Sequence, residues 1–136
     1  MKIVNEAILD EFRTPGPCEL CGKQCRDREP HHYLAKGSGG GGRLDIRINL
    51  VAVGASVPHP LCKCHNLIHA GRLDRESVFI AIALREDLVA HDMEVVLHLA
   101  RRLIDPTPAQ LEVAIAELTP NQQAIARREL CSVPPG

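Results

Sequence analysis

The residues of this sequence best equipped for chemistry are its cysteines and histidines. Six cysteines stand at positions 18, 21, 25, 62, 64 and 131, and five of the seven histidines (His31, His32, His59, His65 and His69) share the same middle stretch. Two close cysteine groups, CELC at 18–21 and CKC at 62–64, are separated by a long insert. Close pairs at a distance fit a zinc site better than a disulfide framework. The first residues, MKIVNEAILDEF, mix acids into their apolar positions and show no small-residue cleavage site, so no secretory signal is expected. A reducing cytosol then disfavours disulfides. Imidazoles ligate divalent metals and accept protons near neutral pH. His65 and His69 are spaced i, i+4, which is one face of a helix.

Those groups need elements to hold them. Ile3 to Arg13 reads as a short amphipathic helix, ended by TPGP at 14–17, where each proline lacks an N–H and restricts the residue before it. RLDIRINLVAV at 43–53 alternates apolar residues through Leu44, Ile46, Ile48 and Leu50, a strand period. A partner strand is expected over Glu29–Leu34, with GSGGGG at 37–42 as an extended hairpin loop. Cys64 to Arg72 reads as a helix that ends near Gly71. From Asp74 onward the pattern is helical, with Asp74 or Ser77 as the first cap. TPAQLEVAIAEL and TPNQQAIARREL each place Thr at the cap, Pro at the first helical position and Gln at the third, so each carries a capping box. This helical part carries no motif chemistry and reads as packing support or a dimer surface.

Composition excludes several classes. With 136 residues, 24% charged residues and a mean hydropathy of −0.06, the chain is neither a disordered tail nor a membrane protein. The longest apolar run, Val78–Leu84, falls far short of the roughly 18 residues of a spanning helix. The aromatic residues are Phe12, Tyr33 and Phe79, too few for a base-stacking platform. The net charge is −1 but uneven: His31–Arg72 holds five basic residues and one acid, Asp45, whereas the stretch from Leu73 to the end holds six arginines against ten acids. A positive middle suits an anionic partner.

Taken in order, CELC (18–21), HH (31–32), INL (48–50) and CKCHNLIH (62–69) resemble the HNH endonuclease family, over roughly Cys18–Gly71. The segment PHHYLAKGSGGGGRLDIRINL is also similar to phage and prophage HNH proteins that process recombination intermediates. The resemblance implies an α+β fold: a small ββα-metal core with a structural zinc site, plus a helical C-terminal extension. The chain then divides into an N-terminal helix and linker (1–17), the nuclease core with its zinc knuckle (18–72) and the helical extension (73–136).

By the family pattern His32 is the general base that activates water, and His31 and His65 hold one divalent ion. His69 is a third ligand or a phosphate contact, and Asn49 hydrogen-bonds backbone or His32. Mg²⁺ or Mn²⁺ is the expected catalytic ion and Zn²⁺ the structural one. One departure concerns the second knuckle, whose first cysteine falls one position late. Cys18, Cys21 and Cys64 keep their places, and the fourth zinc ligand is Cys62, His59 or Cys25, with Cys62 taken here. Lys36, Arg43, Arg47, Lys63 and Arg72 are the expected contacts to DNA phosphates, which orient DNA without reading bases.

The leading reading is thus a metal-dependent endonuclease that hydrolyses DNA phosphodiester bonds with little base readout, in the cytoplasm of a bacterial or phage-infected cell. No membrane partner is expected. A double-strand break from one active site per chain needs two chains or two visits, which makes a homodimer a candidate assembly. The alternative from another class is a catalytically silent zinc-knuckle DNA-binding or interaction protein. A thiol redox protein built on CELC is a third reading, against which stands the lack of a βαβ setting.

Overall fold

Asn5 opens helix α1 (Glu6–Arg13), where its side-chain oxygen accepts the Ile8 N–H at 3.2 Å and fills one donor that a helix start leaves without a partner. Leu9 and Phe12 form its buried side. The chain leaves the helix in extended backbone at Thr14, ahead of Pro15. The computed structural model describes residues 1–35, 42–55, 62, 64 and 74–131. It is a mixed α+β fold in which two small antiparallel sheets lie among helices.

The first sheet pairs β1 (Gly16–Pro17) with β2 (Gln24–Cys25). Between them the CELCGK turn closes on itself: the Cys18 N–H donates to Lys23 O and the Gly22 N–H to Cys18 O, both at 2.8 Å. Gly22 takes φ 76°, the left-handed region that a side chain would disfavour. The second sheet pairs β3 (Arg28–His32) with β4 (Leu50–Gly54), with His31 opposite Val51 and His32 opposite Leu50.

β4 is buried at every position because both of its faces are covered. Leu50 and Ala52 pack with Leu9 and Phe12 of α1, while Val51 and Val53 belong to the main core. The far edge of β4 is also closed: Ala52 donates to Glu19 Oε1 at 2.7 Å and accepts from the Glu19 N–H at 2.9 Å.

The stretch before β4 departs from the strand expected over 43–53. Leu44 makes a single parallel bridge to Ile3, and Arg47–Asn49 is a 3-10 turn. Leu44, Ile46, Ile48 and Leu50 are all buried. Their alternation therefore reports burial rather than a continuous ladder. The partner strand likewise stops at His32, since beyond it Asn49 takes over the backbone groups of Leu34.

Asp74 caps helix α2 (Arg75–Glu86), its carboxylate accepting the Glu76 N–H at 3.2 Å. Helices α3 (Ala90–Arg102), α4 (Pro108–Ala116) and α5 (Pro120–Leu130) follow. Thr107 with Gln110 and Thr119 with Gln122 both form complete capping boxes. Phe79, Ile82, Met93, Leu97, Ile115 and Ile125 share one buried cluster with Ile48, Val51 and Val53. The helices after residue 73 thus pack on the core of the β3–β4 ribbon. Among the described residues no helix is long and apolar enough to cross a membrane. The helix expected over Cys64–Arg72 lies outside the described residues except for Cys64 itself.

Candidate functional site

The sulfur atoms of Cys18, Cys21, Cys62 and Cys64 all lie within 4.8 Å of one another, and Cys21 and Cys62 are 3.6 Å apart. Cys18, Cys62 and Cys64 are buried and Cys21 is exposed. A tetrahedral Zn²⁺ with bonds of about 2.3 Å sets its sulfurs roughly 3.8 Å from each other. The donor set and its spacing therefore fit a zinc-type ion. Soft thiolates also favour zinc over hard cations such as Mg²⁺.

Burial pushes the Cys64 thiol up, and the nearby Cys18 adds to this. Burial also raises Cys21. At Cys62 burial acts in the same sense but is outweighed by the Cys64 backbone N–H and by hydrogen bonds from Cys21, Cys18 and Cys25, which bring it down to about 7.

A fifth cysteine sits against this cluster. Cys25 is buried, its thiol donates to Lys23 O at 3.2 Å, and burial together with the charge of Cys62 pushes it up to about 11. The room for it comes from Gly54 at the end of β4. A Cβ there would stand 2.5 Å from Cys25 Sγ and 2.7 Å from Cys62 Sγ, closer than atoms tolerate. The knuckle is braced from outside by Arg85 on α2, whose Nη1 reaches Glu19 Oε1 at 2.7 Å and Leu50 O at 2.8 Å.

The histidine end of the ribbon is built differently. His32 is the last residue of β3, and its side chain is only 9% exposed. Its Nε2 lies 2.7 Å from Oδ1 of Asp45, whose side chain is wholly buried. Asp45 is held on its other sides too. Oδ2 accepts the Asn5 N–H at 2.9 Å, and the Arg43 guanidinium reaches the carboxylate at 2.7 to 2.9 Å. Burial alone would raise the Asp45 pKa, but Arg43, His32 and the Asn5 N–H together hold it below the ordinary carboxylate value. Asp45 appeared in the sequence only as the lone acid of a basic stretch. The available signal was its place in LDIRINL, two residues past the basic Arg43 and inside the apolar alternation.

His31 precedes His32 on the same strand, and its opposite number is Val51. Alternation along a strand starts the two imidazoles from opposite faces of the ribbon. His65 and His69, the other expected metal ligands, lie outside the described residues, as does His59.

Asn49 is fully buried and serves backbone. Its Oδ1 accepts the Leu34 N–H at 2.8 Å, and its Nδ2 donates to Leu44 O at 3.0 Å and to Leu34 O at 3.3 Å. It staples together the two ends of the segment between β3 and the 3-10 turn. Of its two expected roles, bonding backbone or bonding His32, the contacts among the described residues are those of the first.

Two of the five expected phosphate contacts are described, and both are engaged internally. Arg43 pairs with Asp45 and with Glu6 at 3.1 Å. Arg47 pairs with Glu86 at 3.3 Å and Glu11 at 3.0 Å and lies over the Phe12 ring. A guanidinium held by carboxylates adds little net positive field for a phosphate. Lys36, Lys63 and Arg72 lie outside the described residues.

Compared with known proteins, the chain matches no family model, no curated protein and no solved structure.

Proposed function

We propose that this protein is a metal-dependent HNH-type endonuclease that hydrolyses DNA phosphodiester bonds, with a ββα-metal core braced by a structural zinc ion. The observation that carries the reading is His32. A nearly buried imidazole at a strand end, hydrogen-bonded to an ionised carboxylate, is an arrangement suited to a general base. A module that only binds DNA or a protein has no need of it.

In this reading His32 takes a proton from the attacking water. His31 would hold a divalent ion together with His65, with His69 as a third ligand or phosphate contact. When bound, Mg²⁺ or Mn²⁺ would supply charge neutralisation on the phosphate and relief for the departing oxygen. Asn49 keeps the segment after β3 against the ribbon. Lys36, Lys63 and Arg72 are the remaining candidates to meet the DNA backbone, and a cytoplasmic setting suits thiols kept reduced for zinc.

The test is nicking of supercoiled plasmid with Mn²⁺ or Mg²⁺. His32→Ala is expected to abolish nicking while DNA binding persists. Unchanged cutting by that variant removes His32 from the chemistry. The second reading, a catalytically silent zinc-knuckle protein, is favoured by one observation: among the described residues, the cysteine quartet is where the donor atoms of a metal site converge. It predicts zinc and DNA or protein binding with no metal-stimulated nicking at all.

A further inference from the structure

We infer that Arg75, at the start of α2, is a DNA-binding residue: its guanidinium, carried on the ring of Tyr33, takes a backbone phosphate of the strand that passes the His31 side of the β3–β4 ribbon. The inference rests on the proposed nuclease reading and adds to it a contact outside the five basic residues that the sequence singled out.

The cation is held on a platform. Arg75 is exposed, and its guanidinium carbon lies 4.8 Å from the centre of the Tyr33 ring. Its Nη2 donates to Tyr33 O at 3.2 Å. The Tyr33 ring in turn stacks on Phe79 of α2, with 4.6 Å between centres and 16° between planes. A guanidinium over an aromatic face is attracted to the ring and keeps its edges open to a partner. Among the described residues, Tyr33 O is the acceptor that Arg75 meets, so Nε and Nη1 keep their hydrogens to offer.

Its charge is also uncompensated. Arg43, Arg47 and Arg85 are each held by carboxylates. Arg75 forms no ion pair among the described residues, and the stretches outside them contain no Asp or Glu. Its neighbour Asp74 turns its carboxylate to the helix it caps, accepting the Glu76 N–H at 3.2 Å and the Ser77 hydroxyl at 3.4 Å. Glu76, on the other side, is exposed, where water and salt screen it. A fixed guanidinium with a free edge matches phosphate, which it grips through two parallel N–H···O bonds.

Packing decides which side of the ribbon this cation serves. His31 stands opposite Val51, and opposite residues of an antiparallel pair project to one side. Val51 and Phe79 share the main buried cluster, against which Tyr33 packs. His32 stands opposite Leu50, which packs with α1 instead. Tyr33 and Arg75 therefore belong to the His31 side, directly after the end of β3. In the proposed reading His31 holds the catalytic ion, so a strand drawn to that ion passes the guanidinium.

The test measures binding of a short DNA duplex to the zinc-loaded full chain over a series of KCl concentrations, without Mg²⁺ or Mn²⁺, and plasmid nicking kinetics separately. Arg75→Gln removes the charge and keeps a donor for Tyr33 O. It is expected to weaken binding roughly 10-fold and to lower the slope of log K against log salt by about 1. Arg75→Lys should keep the slope, because the charge remains, but recover only part of the affinity, because an ammonium lacks the fork. In nicking, Arg75→Gln should raise KM and leave kcat unchanged, as a contact made equally before and during the reaction requires. Arg13→Gln is the control: that guanidinium sits on α1 and is held by Asp10 and Glu6, and its loss should leave the slope at the wild-type value.

Wild-type affinity and slope in Arg75→Gln overturn the inference, as does an equal loss in Arg13→Gln or a fall in kcat at constant KM. Full affinity in Arg75→Lys overturns it too, and that variant decides should Arg75→Gln fail to fold. A wild-type chain that binds no duplex overturns the nuclease reading and the inference together. Nicking that depends on His32 and is indifferent to Arg75 overturns the inference alone.

Discussion

Arg85 Nη1 meets Glu19 Oε1 at 2.7 Å, and that pairing joins helix α2 to the cysteine knuckle across the edge of β4. Arg85 also donates to Leu50 O, to Arg47 O at 2.6 Å and to Glu86 at 2.9 Å, and its guanidinium lies over the Phe12 ring. Truncation leaves the buried Glu86 and two carbonyls short of a donor. Arg85→Ala is expected to destabilise the fold by about 2–3 kcal/mol, the upper part of the range for hydrogen bonds to charged groups. Denaturant unfolding would check this, and a midpoint equal to wild type would show that the network contributes nothing.

The cysteine cluster should bind one zinc ion with an affinity that depends on pH. Burial raises Cys64 and Cys21, so in the metal-free protein both are protonated at neutral pH, and zinc must displace those protons. Affinity is therefore expected to rise with pH and to fall on acidification. Zinc dissociation constants measured at pH 6 and pH 8 test the direction. Cys64→Ser should lower zinc content below one equivalent, and chelation of the wild-type protein should lower its Tm.

Gly54 is the position where a single methyl group should disturb that cluster. The added carbon of Gly54→Ala would collide with the sulfurs of Cys25 and Cys62. Overpacking of this kind costs about 1–3 kcal/mol. The expected result is a lower Tm and weaker zinc binding, with partial recovery in the double variant Gly54→Ala/Cys25→Ala. Equal loss in the single and double variants would place the strain elsewhere.

Glu129 on α5 is buried, its Oε1 accepts the Ile48 N–H at 3.3 Å, and burial raises its pKa above the ordinary 4.5. A raised folded value means that the native state holds the proton more tightly than the unfolded chain. The stabilising contribution is complete below the unfolded value and is lost as pH rises through the folded one. Glu129→Gln removes the charge and keeps an acceptor. It should melt above wild type at pH 8, and the gap should close toward pH 4.

What could be read in advance divides by distance along the chain. The caps at Asp74, Thr107 and Thr119 depend on residues two or three positions away, and the structure contains them. CELC and CKC mark their own positions, and the fold gathers Cys18, Cys21, Cys62 and Cys64. The strand expected over 43–53 shrank because apolar alternation registers burial, and burial here comes from α1, Ile3 and the later helices rather than from one ladder. The part played by Asp45 is not legible in the sequence because two of its partners, His32 and the Asn5 backbone, lie 13 and 40 residues away. The ion pairs of Arg43 with Glu6 and of Arg47 with Glu86 are hidden in the sequence for the same reason: these glutamates are remote in sequence and become neighbours through packing.

Glu19, the residue between Cys18 and Leu20, closes the free side of β4 with both its N–H and its carboxylate. The knuckle is therefore also a guard against self-association. A strand with bare amides is a template on which another polypeptide can add. If the loop carrying Glu19 loosens when its ion is stripped, a buried and wholly apolar stretch, LVAVG, gains an open side. Loss of zinc would then surface as precipitation or ordered aggregates, at temperatures where the helical half of the molecule is still intact.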